Sequence, residues 1–243
     1  MTQLAEAARR VPLNRDRVLR AAITLADQVG IESLSMRRLA LELGVVPMAL
    51  YKHVANKEEL LGGMVDTIVG EIDPPVPDAP WKSAVRFRVL SARQVLLRHS
   101  WARPVIETRT NVTPAVLGYM DGFAGMFLAG GFSADLTHHV MHAMGSRMWG
   151  FTQEVFDDTA GRDENQRPEV TPEVRAAMAQ QMAERYPNLL SIAGAAAHDD
   201  GSVVGSGCDD QFEFEFALDL LLDGFERLHQ EKWTSGADGY RGL

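Results

Sequence analysis

The sequence predicts an all-α chain, on three observations. Apolar residues recur at three- and four-residue spacing over much of the 243 residues, as in Val18, Leu19, Ala22, Ile23, Leu25 and Ala26. Hydrophobic residues make up 46% of the chain, chiefly Leu, Val, Ala and Met, and aromatics only 7%, a balance that suits helices better than sheet. No alternating apolar–polar run is long enough to build a substantial strand, and no internal repeat is visible.

The elements follow in order. A first helix is expected from Asn14 to Gln28, with Asn14 as its N-cap and Gly30 as the left-handed residue that closes it. Ser35 caps a second helix that runs to Leu43, with Leu39 and Leu43 on one face, and Gly44 makes the turn. A third, short helix covers Val46 to His53. Asn56 caps a fourth, and Glu59 three residues on completes an Asn-x-x-Glu variant of the capping box. Its apolar stripe is Leu60, Met64, Ile68 and Ile72.

The stretch "DPPVPDAP", Asp73 to Pro80, puts four prolines in eight residues, which no helix interior tolerates. The domain boundary is therefore expected here: a head over residues 1–73 and a body over 74–243. Helices then resume over Trp81 to His99, Trp101 to Thr108, Pro114 to Ala129, and from the cap Ser133 to about Phe156. Asp157 to Thr171 is polar and reads as a loop. Thr171-Pro172-Glu173 opens a helix, cap then proline at the first position, which ends near Tyr186-Pro187. Residues 194–208 are rich in Gly, Ser and Ala and read as a flexible loop before the last helix, Asp210 to Gln230.

Composition narrows the function classes. A single cysteine, Cys208, forms no internal disulfide and points to a reducing, cytoplasmic setting. The N-terminus has no apolar signal region, and nowhere do about 20 apolar residues run together, so no membrane partner is expected. The net charge of −9 is unevenly spread. Residues 1–60 hold nine Lys or Arg against seven Asp or Glu, a surplus of +2; the remainder holds 15 against 26, or −11. A mildly basic head on an acidic body is what a local nucleic-acid contact needs.

The spacing of Ala40, Gly44 and Leu50 fits a helix-turn-helix. The small Ala lets two helices approach, the Gly takes the left-handed turn, and the Leu seals the second helix onto the first. With Val45, Leu50 and Val54 inward, Pro47, Met48, Ala49, Tyr51, Lys52 and His53 face outward. Small apolar groups can meet base edges and thymine methyls, and Tyr, Lys and His suit phosphates. Arg37, two residues past the Ser35 cap, lies near the groove. Lys57 sits first after the Asn56 cap, where the helix dipole favours an acid by about 0.3–1 kcal/mol. A docked phosphate reverses that sign, so Lys57 reads as a backbone contact.

The run "LSMRRLALELGVVPMALYKHVANKEELL" closely resembles the DNA-binding module of the TetR (tetracycline repressor) family of transcriptional regulators. Its distinctive residues are Leu43-Gly44-Val45, Ala49-Leu50-Tyr51-Lys52-His53-Val54, and Asn56-Lys57 with Leu60-Leu61. The likeness extends more faintly to Trp81, to "GGFS", and to "FEFALDLLLDGFE" near the end, which resembles the dimerisation helix of the TetR proper subgroup. The resemblance implies a homodimer on palindromic operator DNA, released by a small-molecule effector. It implies base contacts at Arg37, Pro47, Met48 and Ala49, and phosphate contacts at Ser35, Tyr51, His53 and Lys57. By family position the effector pocket is lined by Arg88, Ala92, Ile106, Arg109, Met120, Phe123, His138, Met141 and His142. The tetracycline-binding members place histidines at the end of the fourth helix and before the seventh. Here those regions read "GEIDPPV" and "RPVIETR" and hold none, so a magnesium–tetracycline complex is not the expected ligand.

Several residues keep two readings. His138 and His142, four apart, share a helix face at metal-ligand spacing, but surface or interface histidines look the same, and no third ligand has a defined spacing. Met and Phe at helical spacing serve a pocket or plain core alike. The face Phe212, Phe216, Leu220, Leu221 and Phe225 is too apolar for water and is buried either within the chain or against a partner; the resemblance favours the partner. No Gly-rich phosphate loop, no G-x-S-x-G and no distinctive carboxylate pair invites an enzyme, so no catalytic residue, metal or cofactor is assigned. An all-helical enzyme or an interaction protein of unknown chemistry is the alternative to a repressor.

Overall fold

The computed structural model describes residues 12–109, 112–150, 171–188, 191 and 210–236. Every regular element among them is helical: α1 (Arg15–Val29), α2 (Met36–Glu42), α3 (Pro47–Leu50), α4 (Lys57–Val69), α5 (Trp81–Arg98), α6 (Ala102–Thr108), α7 (Pro114–Ala129), α8 (Ala134–Gly150), α9 (Pro172–Arg185) and α10 (Asp210–Gln230). The all-α expectation holds. Expected features at 151–156, 157–170 and 194–208 lie outside the described residues.

Two compact units make up the chain. The first runs to His138 and resumes at Thr234. Its N-terminal core joins Val18, Leu19, Ala22 and Ile23 of α1, Leu39 and Ala40 of α2, Leu50 of α3, and Leu60, Met64 and Ile68 of α4. Leu39, Leu50, Leu60 and Met64 are fully buried, each contributing on the order of 1.5–3 kcal/mol. Caps set the helix starts: Asn14 Oδ1 accepts from the Arg17 N–H at 2.8 Å, and Asn56 Oδ1 from the Glu59 N–H at 2.8 Å. α4 ends at Val69, so Ile72 lies beyond the helix, yet it still packs on this core.

Trp101, Ala102 and Val105 belong to the same core. The compact unit thus continues across the proline-rich join. Buried polar contacts do the same. His99 Nδ1 lies 2.9 Å from Asp27 Oδ1 at the end of α1, and its Nε2 lies 3.4 Å from Glu71 Oε2 just past α4. Trp101 Nε1 donates to the same Asp27 oxygen at 2.6 Å. An aromatic cluster holds α5 against α7: the Trp81 ring meets Phe132 at 4.7 Å and Phe127 at 5.7 Å. Phe132 folds back as the chain leaves α7, its N–H donating to the Phe127 carbonyl at 3.1 Å.

The second unit spans His139–Trp233. Its buried residues include Val140 and Met144 of α8 and Phe214, Leu218, Leu222 and Phe225 of α10. Phe212, Phe216 and Leu220 form the other stripe of α10 and are exposed. Phe225 therefore does not share the outward face expected of it. Thirteen positions past Phe212, at 100° each, it lies on the far side of the helix with Phe214 and Leu218. Leu221 is half-buried between the two faces.

Candidate nucleic-acid interface

The turn between α2 and α3 is built by backbone hydrogen bonds. The Gly44 N–H donates to Leu41 O at 3.1 Å and the Val45 N–H to Ala40 O at 2.9 Å. Gly44 itself stands at φ 65, the left-handed region where a side chain is strained. This six-to-one, five-to-two pairing is the Schellman closure, and it redirects the chain at once into α3. Ser35 Oγ accepts from the Arg38 N–H at 3.2 Å, so that hydroxyl also serves as the α2 cap.

α3 is shorter than the sequence suggests. It ends at Leu50, and Tyr51, Lys52 and His53 form the following turn, with the His53 N–H on Leu50 O at 2.8 Å. The reason lies in what flanks them. Leu50 and Val54 are drawn into the core, and Asn56 adopts extended backbone (φ −162, ψ 179) to cap α4, which leaves no room for another helical turn. The outward side chains remain outward: Arg37, Pro47, Met48, Tyr51, Lys52 and Lys57 are exposed, and Ala49 and His53 are half-buried.

Charge on this face is uncompensated. Arg15 pairs with Glu59 at 3.9 Å and Arg20 with Asp16, but among the described residues Arg37, Lys52 and Lys57 form no ion pair. Lys57 is the first residue of α4, followed by Glu58 and Glu59. Glu59 Oε2 accepts from the Ala55 N–H at 2.7 Å, so the capping box closes one residue before the cap. Val46, beside Met48, is also exposed, which the sequence reasoning overlooked.

The residues expected around an effector differ in their surroundings. Arg88 Nη1 donates to the carbonyls of Ile72, at 3.2 Å, and Asp73, while its guanidinium lies 4.8 Å from the Tyr119 ring centroid. Burial pushes the Tyr119 hydroxyl up to about 12, against the pull of Arg88. Ser91 Oγ donates to Asp73 Oδ2 at 2.8 Å. Ala92 and Phe123 are buried, Ile106 packs on the N-terminal core, and Met120 is exposed. Arg109 reaches α4 instead: Nη2 lies 3.1 Å from Glu58 Oε1, and Nη1 donates to Glu58 O at 3.2 Å. His138 and His142 are exposed and Met141 half-buried. Among the described residues no group of three His, Cys, Asp or Glu could hold a metal ion.

Comparison with known proteins decides the family. Residues 18–64 match the model described as bacterial regulatory proteins, tetR family, and residues 74–229 match the tetracyclin repressor-like C-terminal domain. The second match alone covers more than half of the chain. The chain belongs to the tetR family. An HTH-type transcriptional regulator of Saccharopolyspora erythraea is 34% identical over 121 residues, 49% of this chain. The chain spans about half of that relative, 51% of its length. The HTH-type transcriptional repressor DrrR1 of Streptomyces coeruleorubidus is 27% identical over 221 residues, 89% of this chain and 78% of the relative. In fold, the chain resembles the Streptomyces coelicolor TetR family protein ActR, solved in complex with (S)-DNPA. The TM-score is 0.63 at 24% identity, over 90% of this chain and 100% of that one. In this tetR-family regulator, the matched segment 18–64 contains the whole α2–α3 turn and Lys57. No helix among the described residues is long and apolar enough to cross a membrane.

Proposed function

We propose that the chain is a repressor that binds a palindromic operator as a homodimer in the cytoplasm and leaves it when a small molecule binds the body. The observation that carries this is the exposed face from Arg37 to Lys57. Its cations are unpaired among the described residues, although the chain as a whole is acidic. Arg37 and the first turn of α3 read bases; Ser35, Tyr51, Lys52, His53 and Lys57 hold phosphates. Residues 1–73 act as the head and 74–243 as the effector and dimerisation body. No catalytic role is assigned.

The coupling runs through α4. Arg88 holds the chain just past its C-terminal end, and Arg109 holds its first turn, beside Lys57. An effector that shifts α5–α7 thereby shifts the reading head. A coupling of about 1–3 kcal/mol suffices for induction. Fluorescence anisotropy of the purified protein with DNA from upstream of its own coding sequence tests the reading, with salt titration and a scrambled control. Specific, salt-dependent binding to an inverted repeat is expected; binding no better than to scrambled DNA counts against an operator there.

A further inference from the structure

In the major groove adenine, guanine and cytosine each present hydrogen-bonding groups that call for a donor or acceptor. Thymine alone adds an apolar C5-methyl group. The leading edge of α3 is Val46-Pro47-Met48-Ala49, and none of these side chains carries an N–H or O–H. Val46 is 68% exposed and Met48 72%. Pro47 lacks even a backbone N–H. The polar side chains that follow, Tyr51, Lys52 and His53, lie in the turn past α3.

An apolar side chain set against the edge of adenine, guanine or cytosine strips water from polar groups and gives them no partner. The same side chain against a thymine methyl buries apolar surface on both sides. The geometry points to an operator read through methyl groups: Val46 and Met48, on either side of Pro47, select thymines, and Arg37 supplies the hydrogen-bonded choice of guanine. Val46 thereby joins the specificity-determining residues. This rests on the operator reading above and gives it a chemistry.

The test begins with selection of bound duplexes from a random-sequence pool by the full-length protein. The enriched duplex is then remade with each thymine replaced in turn by deoxyuridine, which removes the methyl alone. Loss of about fourfold in affinity is expected at two or more thymines per half-site, the equivalent of one buried methyl-sized group. Met48→Ala and Val46→Ala, both at exposed positions, should each make one of those thymines insensitive to the replacement. An enriched duplex unmoved by every deoxyuridine overturns the methyl readout and leaves the operator reading standing. Sensitivity that persists in both variants overturns the assignment to these side chains. No enriched sequence at all overturns both readings.

Discussion

Lys57 is where the sequence speaks against helix stability, and that conflict is informative. It heads α4 at the positive end of the dipole, exposed and without an acidic partner among the described residues. Lys57→Ala should weaken binding to all DNA sequences alike and lower the salt slope by about one unit; an unchanged slope in salt-titrated anisotropy removes Lys57 from the contacts. Asp27 plays the opposite part. Its carboxylate serves two buried donors, His99 Nδ1 and Trp101 Nε1. Asp27→Ala strands both and should cost about 1–3 kcal/mol in urea unfolding. Tyr119 gives a pH signature. Its hydroxyl, pushed up to about 12, keeps its proton in the folded chain after the unfolded chain has lost it at its ordinary value of 10.0. Its contribution to stability is present below about pH 10 and is lost as pH rises toward 12. Tyr119→Phe should flatten that part of the stability profile, which unfolding curves at successive alkaline pH values will read.

At the scale of elements, close approach decides more than propensity. A Cβ on Gly63 would stand 2.7 Å from Leu19 Cδ2, so the buried Leu19 side chain between α1 and α4 would have to shift to admit it. Alanine ordinarily gains about 0.5–1 kcal/mol over glycine inside a helix. Here overpacking of about 1–3 kcal/mol outweighs the gain, and Gly63→Ala should lower the denaturation midpoint. Gly118→Ala, with nothing within 4 Å, is the control and should raise it. These elements were legible to different depths. Asn14, Ser35 and Asn56 cap where the sequence says, and Gly44 turns where it says, because each is a local bargain between a side chain and the backbone next to it. The end of α3 was hidden, because burial of Leu50 and Val54 sets it from outside the helix. The joint of Asp27, Glu71 and His99 was equally hidden, since its members lie up to 72 residues apart and none belongs to a motif. Family position sets Arg109 toward a ligand, and its bond to Glu58 across 51 residues has no local signal either.

Across the whole molecule, α10 has one apolar face buried within the chain and a second left exposed. Phe214, Leu218, Leu222 and Phe225 are buried in the single chain, and Phe212, Phe216 and Leu220 are not. Exposed phenylalanines in an i, i+4 pair, 6.3 Å between centroids, need cover that a homodimer would supply. Dimerisation matters to the proposed function because one head occupies only half of a palindrome, and joining two heads multiplies their separate affinities. Phe216→Asp places a charge in that stripe without touching the buried face. It should convert a dimer to a monomer in sedimentation equilibrium, keep the helical circular dichroism signal, and weaken binding to the full inverted repeat far more than to a half-site. Phe225→Ala should act the other way round, with unfolding easier by about 3–5 kcal/mol. If Phe216→Asp sediments as the parent protein does, the exposed stripe of α10 does not carry a dimer.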